Sequence, residues 1–415
     1  MAPTRKALDV NGAEIAATSS SATATAVAGA LADSIRRQSA GTRLVTLEVD
    51  GPSPGAPDRD DSALALSDLD IPDLPAFRFR YPPPVACYAS TPFLLRHLLR
   101  QGARSVLFLK LESLVVGDLA PLFSRLRQAT ILLTPHLIEP LSGPGAPERE
   151  REVLLAGAYN AGVVGVSASE EATRFLDWWC LRVEHGCLHD VARGMHFEQR
   201  WLDLVPAYFE GVQIVRDPGG NVGHWSLPER RVGIVGDRVL VDGREAAVFR
   251  FSGYDPAAPE RVTRHSSRLS TEGIGEAAQL FERYRRAVAA AGPAHSAAPL
   301  ERFANGEPVP PIVRRIHLEL GPAAARFGDP FACDDASFYS WLRSAAENHP
   351  DEHPVVSNLW LEIWKLRADL RSSFPSPLSA NRIPFVRWTF SAGRSEYGLT
   401  GGLAESVARS PGAPA

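Results

Sequence analysis

Three continuous apolar runs separated by helical patterns constrain the fold of this chain more than any other feature. The runs are SVLFLKLE (105–112), ILLTP (131–135) and AGVVGVS (161–167). Short runs of this kind are typical of parallel strands buried on both faces. The apolar positions of residues 91–101 and 170–186 have helical spacing. The chain is therefore predicted to form an α/β fold, a mostly parallel sheet with helices on both faces.

The regions around this core set the predicted organisation. An amphipathic helix (24–38) leads into a strand, RLVTLEVD, that ends on Asp50 and is followed by a Pro- and Asp-rich loop (51–75). After residue 256 the pattern becomes polar, then helical and aromatic-rich. The predicted parts are a disordered N-terminus (1–11), an α/β domain (12–256), a linker and helix (257–300), a helical C-terminal extension (301–405) and a disordered tail (406–415).

Composition excludes several classes of function. The formal net charge is -4, so no basic field attracts nucleic acid. An uncharged stretch, residues 15–32, superficially resembles a signal peptide, but it is rich in Ala, Ser and Thr and is a poor membrane-insertion segment. We therefore predict no transmembrane segment. Four scattered cysteines form no CxxC pair, which indicates reduced thiols and a cytoplasmic protein.

Polar residues end several of the predicted strands. Asp50 closes one strand, Glu112 follows the next, and Asn160 precedes the third apolar run. Ligands of open α/β sheets bind at the carboxyl ends of strands, so these three residues are candidates for one binding site. Asn160 as the cap of a turn is the alternative.

Ordered segments over residues 40–256 resemble bacterial GT-A glycosyltransferases near glycosyltransferase family 8. They are RSVLFLKLESLVVGDL (104–119), TPHLIEP (134–140), AYNAGVVGV (158–166), FEQRWLDLVP (197–206), RDPGGNVGHWSLPERR (216–231) and FRFSGYDP (249–256). The resemblance implies a GT-A fold, a nucleotide-diphospho-sugar donor and an acceptor that the sequence does not identify. Family 8 membership would favour retention of the anomeric configuration. The C-terminal region resembles an extension found in some bacterial members.

The resemblance also implies a divalent metal, and here the sequence departs from the family. Relatives bind the metal through Asp-x-Asp and a later His-Phe-Ser-Gly motif, because carboxylates and imidazole are suitable ligands. This chain has Lys110-Leu111-Glu112 at the first position and Arg250-Phe251-Ser252-Gly253 at the second. Ammonium and guanidinium groups have no lone pair to offer a metal. We therefore expect neither a metal nor another cofactor.

Two hypotheses follow from this substitution. In the first, Arg250 and Lys110 replace the metal at the donor phosphates, since an arginine binds phosphate bidentately. Asn160 would then bind sugar hydroxyls and Asp50 the nucleoside. The candidate catalytic residues are Glu198, Gln199 and Arg250, and the candidate donor-binding residues are Asp50, Lys110, Glu112, His136, Asn160, Ser252 and Gly253.

In the second hypothesis the site has decayed. Lys110 and Arg250 would each form a salt bridge with a neighbouring carboxylate, and the protein would be a pseudo-glycosyltransferase that binds a sugar nucleotide or a protein partner. Formation of a homo-oligomer is left open. Trp178, Trp179 and Trp201 lie in helical apolar patterns and are predicted to be core residues.

Overall fold

A computed structural model describes residues 9–50, 63–227, 229–292, 301–346 and 355–404. The predicted disordered tail (406–415) lies outside these residues, as do parts of the predicted N-terminal segment, of the loop at 51–75 and of the linker at 257–300. The chain divides into two compact units, Met1–Ile71 with Pro83–Ala297 and Pro72–Pro82 with Ala298–Ala415. The first unit contains the candidate site.

A seven-stranded sheet forms the centre of the described part of the first unit, in the order β10-β6-β7-β4-β1-β2-β3. All neighbours in it pair in parallel except β7, which is antiparallel to both β4 and β6. The strands are β1 (Glu14–Ser20), β2 (Arg43–Glu48), β3 (Ala63–Ala65), β4 (Ser105–Leu109), β5 (Ser113–Val115), β6 (Ile131–Pro135), β7 (Tyr159–Ser167), β8 (His189–Asp190), β9 (Met195–His196), β10 (Val212–Ile214), β11 (Val232–Val235), β12 (Arg238–Val241), β13 (Arg244–Glu245) and β14 (Val248–Arg250).

Helices flank the sheet, which confirms the α/β class and the mostly parallel sheet that the resemblance to GT-A glycosyltransferases predicts. All five residues of β4 are buried, as covering on both faces requires. The helices are α1 (Thr25–Gln38), α2 (Leu74–Arg80), α3 (Pro83–Ala89), α4 (Thr91–Arg100), α5 (Ala120–Leu126), α6 (Ala146–Ala156), α7 (Glu170–Gly186), α8 (Val205–Tyr208), α9 (Ala278–Ala290), α10 (Pro311–Leu320), α11 (Phe338–Arg343), α12 (Asn358–Leu366), α13 (Ala368–Ser373), α14 (Arg382–Trp388), α15 (Arg394–Glu396) and α16 (Gly401–Ala404).

Strand β1 was not among the predicted strands, although it lies between β2 and β4 near the middle of the sheet. Its sequence, EIAATSS, lies largely within the stretch that superficially resembles a signal peptide. Ala16 and Ala17 are completely buried, so small side chains here allow helices to approach the sheet closely. Its burial by neighbouring elements, rather than strong β-propensity, makes this segment a strand.

Strand β7 corrects the prediction about Asn160. This residue lies near the start of a strand and does not close one. Because β7 runs antiparallel to β4 and β6, its first residues meet the carboxyl ends of those strands. Asn160 therefore lies at the predicted edge of the sheet for a different topological reason.

Helix α9 extends the first unit beyond the predicted limit at residue 256. Its apolar face, with Phe281 and Tyr284, packs on Phe249 and Phe251 of the segment that carries Arg250. An amphipathic helix is stabilised mainly by burying that face, so α9 belongs with the sheet rather than with a linker.

The second unit has its own helical core, which confirms the helical C-terminal region. Phe79 of α2 and Trp360 of α12 are buried in one apolar cluster there, so α2 groups with this unit despite its earlier position in the chain. None of the helices in the described residues is long and apolar enough to span a bilayer. All four cysteines are free thiols, as predicted.

Candidate functional site

The candidate site lies at the edge of the sheet where β2 and β4 end and β7 begins. Asp50 follows β2, and its Oδ2 accepts a hydrogen bond from the backbone N–H of Ala22 at 3.0 Å. Lys110 follows β4, and its backbone N–H donates to the carbonyl of Gly162 at 3.0 Å. The strand ends therefore bring together predicted residues from separate parts of the sequence, as expected for this class of sheet.

Lys110 forms an ion pair with Glu198, whose side chain is completely buried. Its Nζ also lies 4.3 Å from the centre of the Tyr88 ring, a favourable cation–π distance. A buried carboxylate needs such a partner, because an unpaired charge in a protein interior is strongly unfavourable. Lys110 therefore compensates a charge within the protein.

Arg250 is almost completely buried, with 3% of its surface exposed. Strand β14 pairs with β5, which places Arg250 opposite Ser113 and beside Glu112. Its Nη1 donates to the carbonyl of Gly162 at 3.4 Å, and no carboxylate of a described residue lies within ion-pair distance. Burial lowers the pKa of Arg250, which the nearby Glu112 opposes. An arginine stays charged in proteins, so this guanidinium is a buried cation without an ion-pair partner among the described residues.

Gly162 leaves the space that the Arg250 side chain occupies. A Cβ atom at this position would lie 2.4 Å from Nη1 of Arg250 and 2.4 Å from Oδ1 of Asn160. Any larger residue would displace both side chains. The glycine is thus required by close approach and not by an unusual backbone angle.

Asn160 is held in a buried polar network. Its Oδ1 accepts from the backbone N–H of Gly162 at 2.8 Å and from Nδ2 of Asn221 at 3.2 Å. Its Nδ2 lies 3.0 Å from Nε2 of His136. Because two donors fix the oxygen, the amide nitrogen must donate to His136, and it keeps a second N–H for a ligand. Asn221 also donates to Thr134 at 2.8 Å, which ties the network to β6.

His136 is neutral in this network, because its Nε2 has to accept a hydrogen bond. Burial lowers its pKa to about 4. Arg230, itself buried, donates to the backbone carbonyl of His136 at 3.3 Å and to that of Asn221 at 3.1 Å. His136 and Asn221, the two residues whose side chains contact the Asn160 amide, are thus anchored by the same guanidinium.

We expect acid to destabilise the fold through His136. His136 takes up a proton near pH 6.5 in the unfolded chain but only near pH 4 in the folded chain. The free energy of unfolding is therefore unaffected by this group above pH 6.5 and decreases as the pH falls from 6.5 toward 4. At about 1.4 kcal/mol per pKa unit, the loss by pH 4 is roughly 3 kcal/mol. Denaturant unfolding at pH 7 and pH 4.5 measures it. The difference between the free energies of unfolding at the two pH values should shrink in His136→Gln. It should persist in the control His189→Gln, because His189 is exposed. Equal differences in the two variants would contradict the assignment to His136.

Gln199 has both ends of its amide engaged by the backbone. Its Oε1 accepts from the N–H of Ala161 at 2.9 Å, and its Nε2 donates to the carbonyl of Ala156 at 2.9 Å. Gln199 thereby fixes the start of β7 next to Asn160. Its predicted contact with the sugar stays a prediction.

The segment after β14 forms another wall of the site. The backbone carbonyl of Ser252 accepts a hydrogen bond from the hydroxyl of Thr263 at 2.8 Å. Gly253 has a φ of 71°, and a Cβ there would lie 2.6 Å from the ring of His265. His265 stacks on His224 with ring centres 5.8 Å apart. Burial lowers the pKa of both imidazoles, so both rings are neutral at pH 7.

Several residues at the site were missed by sequence reasoning. They are Tyr88, His196, Asn221, His224, Arg230, His265 and Tyr284. Asn221, His224 and Arg230 lie within the family-like segment 216–231 but were not singled out there, and the others belong to no quoted motif, so their spatial convergence identifies them. Trp179 is completely buried and confirms its predicted core role, while Trp178 and Trp201 pack on each other partly exposed.

The residues at the site do not fit a divalent metal. At the two positions where the resemblance predicts metal ligands, the chain carries Lys110 and Arg250, whose cationic groups have no lone pair for a metal. Within the described residues, no group of three or more His, Cys, Asp or Glu side chains is arranged to hold a metal ion.

No protein-family model matches the chain. The uncharacterized protein YfnD of Bacillus subtilis (strain 168) is 24% identical over 172 residues. This match takes in 40% of the chain and 53% of YfnD, so the chain spans about half the length of the curated relative it matches.

Two solved glycosyltransferases overlap with the chain at low structural similarity. The galactosyltransferase LgtC, in complex with donor and acceptor sugar analogs, is 15% identical, has a TM-score of 0.39, and the match covers 69% of this chain and 97% of LgtC. GlyE of Streptococcus pneumoniae TIGR4 is 10% identical, has a TM-score of 0.39, and the match covers 71% of this chain and 67% of GlyE. Superpositions at this level do not carry an activity from those proteins to this chain, whose own side chains have to supply it.

Proposed function

We propose that the first unit binds a nucleotide-diphospho-sugar and transfers its sugar to an acceptor without an essential metal. The observation that carries this proposal is the Arg250 guanidinium, buried without an ion-pair partner among the described residues at the edge of the sheet where ligands of α/β folds bind. A buried cation is unfavourable unless a partner compensates it. The guanidinium fork matches phosphate and carboxylate oxygens, and the diphosphate of a sugar nucleotide offers phosphate oxygens.

Arg250 supplies the charge stabilisation that a metal supplies in relatives. Breaking the bond between sugar and diphosphate leaves negative charge on the departing phosphate oxygens. A fixed cation stabilises that charge whether it is a metal ion or a guanidinium. Lys110 contributes less here, because its charge is already compensated by Glu198.

The remaining residues suit the sugar and the nucleoside. Asn160 keeps one amide N–H for a sugar hydroxyl, and Glu112 offers a carboxylate that makes no side-chain hydrogen bond or ion pair with the described residues. At the end of β1, the buried hydroxyls of Thr18 and Ser19 have no hydrogen-bond partner in the described structure. Buried polar groups are normally satisfied, so a ligand at this strand end would complete them.

A catalytically inactive binding or partner protein is the second candidate. The Lys110–Glu198 ion pair supports it, because neutralisation of Lys110 by a carboxylate is what decay of the site predicts. The same hypothesis predicts a salt bridge at Arg250, and there no described carboxylate lies within ion-pair distance. Lys110 therefore favours the inactive protein, whereas Arg250 favours a functional phosphate site. Our proposal gives more weight to Arg250.

Calorimetric titration with UDP-, GDP- and dTDP-sugars tests the proposal. We expect one donor class to bind in EDTA with an affinity that Mn²⁺ does not improve, since the cation is part of the protein. Release of free nucleoside diphosphate during incubation with an acceptor panel then measures transfer. Failure of every donor to bind, with and without Mn²⁺, would reject the enzyme and leave the partner protein. Donor binding without any transfer would favour the inactive binding protein.

A further inference from the structure

Tyr284 brings a phenol hydroxyl to the neighbourhood of Arg250 from outside the predicted domain. It lies on α9 and is 2% exposed. Its ring stacks on Phe251 with centres 4.1 Å apart and an interplanar angle of 11°. Phe251 follows Arg250 and donates its backbone N–H to the carbonyl of Glu112 at 2.7 Å. The stacking thus holds Tyr284 beside the segment where Arg250 and Glu112 meet.

Tyr88 occupies the side of the site nearest Lys110. It lies on α3, with Nζ of Lys110 over its ring, and its ring contacts that of Phe197 at 5.2 Å between centres. Neither Tyr88 nor Tyr284 has a hydroxyl hydrogen bond with a described residue. Burial raises the pKa of both phenols; the Glu112 carboxylate also raises it and Arg250 opposes the shift. Both phenols therefore interact electrostatically with Glu112 and Arg250 and stay protonated donors.

We propose that the hydroxyls of Tyr88 and Tyr284 join Arg250 in binding the diphosphate of the donor, each donating a hydrogen bond to a phosphate oxygen. This inference rests on the proposed function. Neither hydroxyl donates to a described residue, and beside a guanidinium without an ion-pair partner the matching acceptor is an anionic oxygen. Glu112 only accepts hydrogen bonds when ionised, so it suits a sugar hydroxyl and not the phosphate. Arg250 and the hydroxyls of Tyr88 and Tyr284 together bind the diphosphate, in place of a metal ion.

Phenylalanine substitutions test the two hydroxyls without removing the rings. Calorimetry in EDTA measures the affinity for inorganic pyrophosphate and for the panel of nucleotide-sugars. We expect Tyr284→Phe and Tyr88→Phe each to weaken pyrophosphate and donor binding by about tenfold, the usual effect of losing one hydrogen bond to a charged group. The midpoint of thermal unfolding should stay that of the wild type.

Tyr254→Phe is the matched control, because Tyr254 packs in the same aromatic cluster, 6.1 Å from Tyr284 between ring centres. The charges that act most strongly on the pKa of its phenol are those of Arg285 and Glu282, and Arg250 is not among the charges that act on it. Its pyrophosphate affinity should change by less than about twofold, as expected for a change away from the site.

The outcomes separate the inference from the proposed function. Unchanged pyrophosphate and donor affinities in both site variants would overturn the tyrosine inference, while sugar transfer by the wild type would still uphold the proposed function. An equal loss in Tyr254→Phe would also overturn the inference. Tyrosine-dependent pyrophosphate binding, without binding of any nucleotide-sugar, would uphold the anion site and reject the proposed function. Absence of pyrophosphate binding by the wild type would overturn the inference directly.

Discussion

Lys110→Met is expected to lower the free energy of unfolding by about 3–5 kcal/mol, the usual effect of removing one partner of a buried ion pair. The substitution leaves the carboxylate of Glu198 without its cation, and that side chain is completely buried. The volume of the side chain is nearly preserved, so the loss arises from charge and not from a cavity. Equilibrium unfolding in denaturant at pH 7 measures it.

Glu198→Gln in the same chain identifies the cause. In the double variant Lys110→Met/Glu198→Gln neither charge of this pair is left, so most of the lost stability should return. Lys365→Met is a matched control, since Lys365 pairs with Glu362 on the surface of the second unit and is 52% exposed. Exposed pairs contribute about 0–1 kcal/mol. A loss below about 1 kcal/mol in Lys110→Met would show that Glu198 has another source of compensation.

The elements that the sequence predicts well have strong apolar patterns. Strands β4 and β6 lie where their apolar runs are, and α7 begins after Ser169, whose hydroxyl accepts from the backbone of Ala172 at 3.1 Å. Strand β1 was missed because Ala, Ser and Thr give little periodic signal, although the strand is central. Its position depends on what covers it, and a single sequence does not reveal that.

The site could be predicted in outline but not in its pairings. Strand ends and family motifs located Asp50, Lys110 and Arg250, because those features are local in sequence. The partner of Lys110 lies 88 residues further along the chain, on the segment after β9, and no local pattern specifies that contact. Tyr284 has the apolar spacing of a core residue. That spacing predicts burial of the ring but gives no indication of a role for its hydroxyl. Only the three-dimensional structure therefore shows that Lys110 has an ion-pair partner, whereas Arg250 has none among the described residues.

Arg250→Gln is expected to reduce sugar transfer by about 100-fold or more, the usual effect of removing a group that stabilises developing negative charge. It should leave the fold intact, in contrast to Lys110→Met. No described carboxylate forms an ion pair with Arg250, so removal of its charge does not leave a buried carboxylate without a partner. Transfer rates in EDTA with the donor that binds, together with the unfolding midpoint, measure both effects. Arg238→Gln, on the exposed hairpin of β11 and β12, is the control for loss of one positive charge.

Gly162→Ala tests the same guanidinium without changing any charge. The added Cβ would lie 2.4 Å from Nη1 of Arg250 and 2.4 Å from Oδ1 of Asn160, so both side chains have to move away from their positions at the strand ends. We expect a loss of transfer comparable to that of Arg250→Gln, because electrostatic stabilisation depends on a preorganised cation. Gly233→Ala, whose Cβ would have its nearest neighbour at 3.9 Å, should behave as the wild type. Full transfer by a folded Arg250→Gln variant would show that this guanidinium does not replace a metal, and the site would then belong to a binding protein.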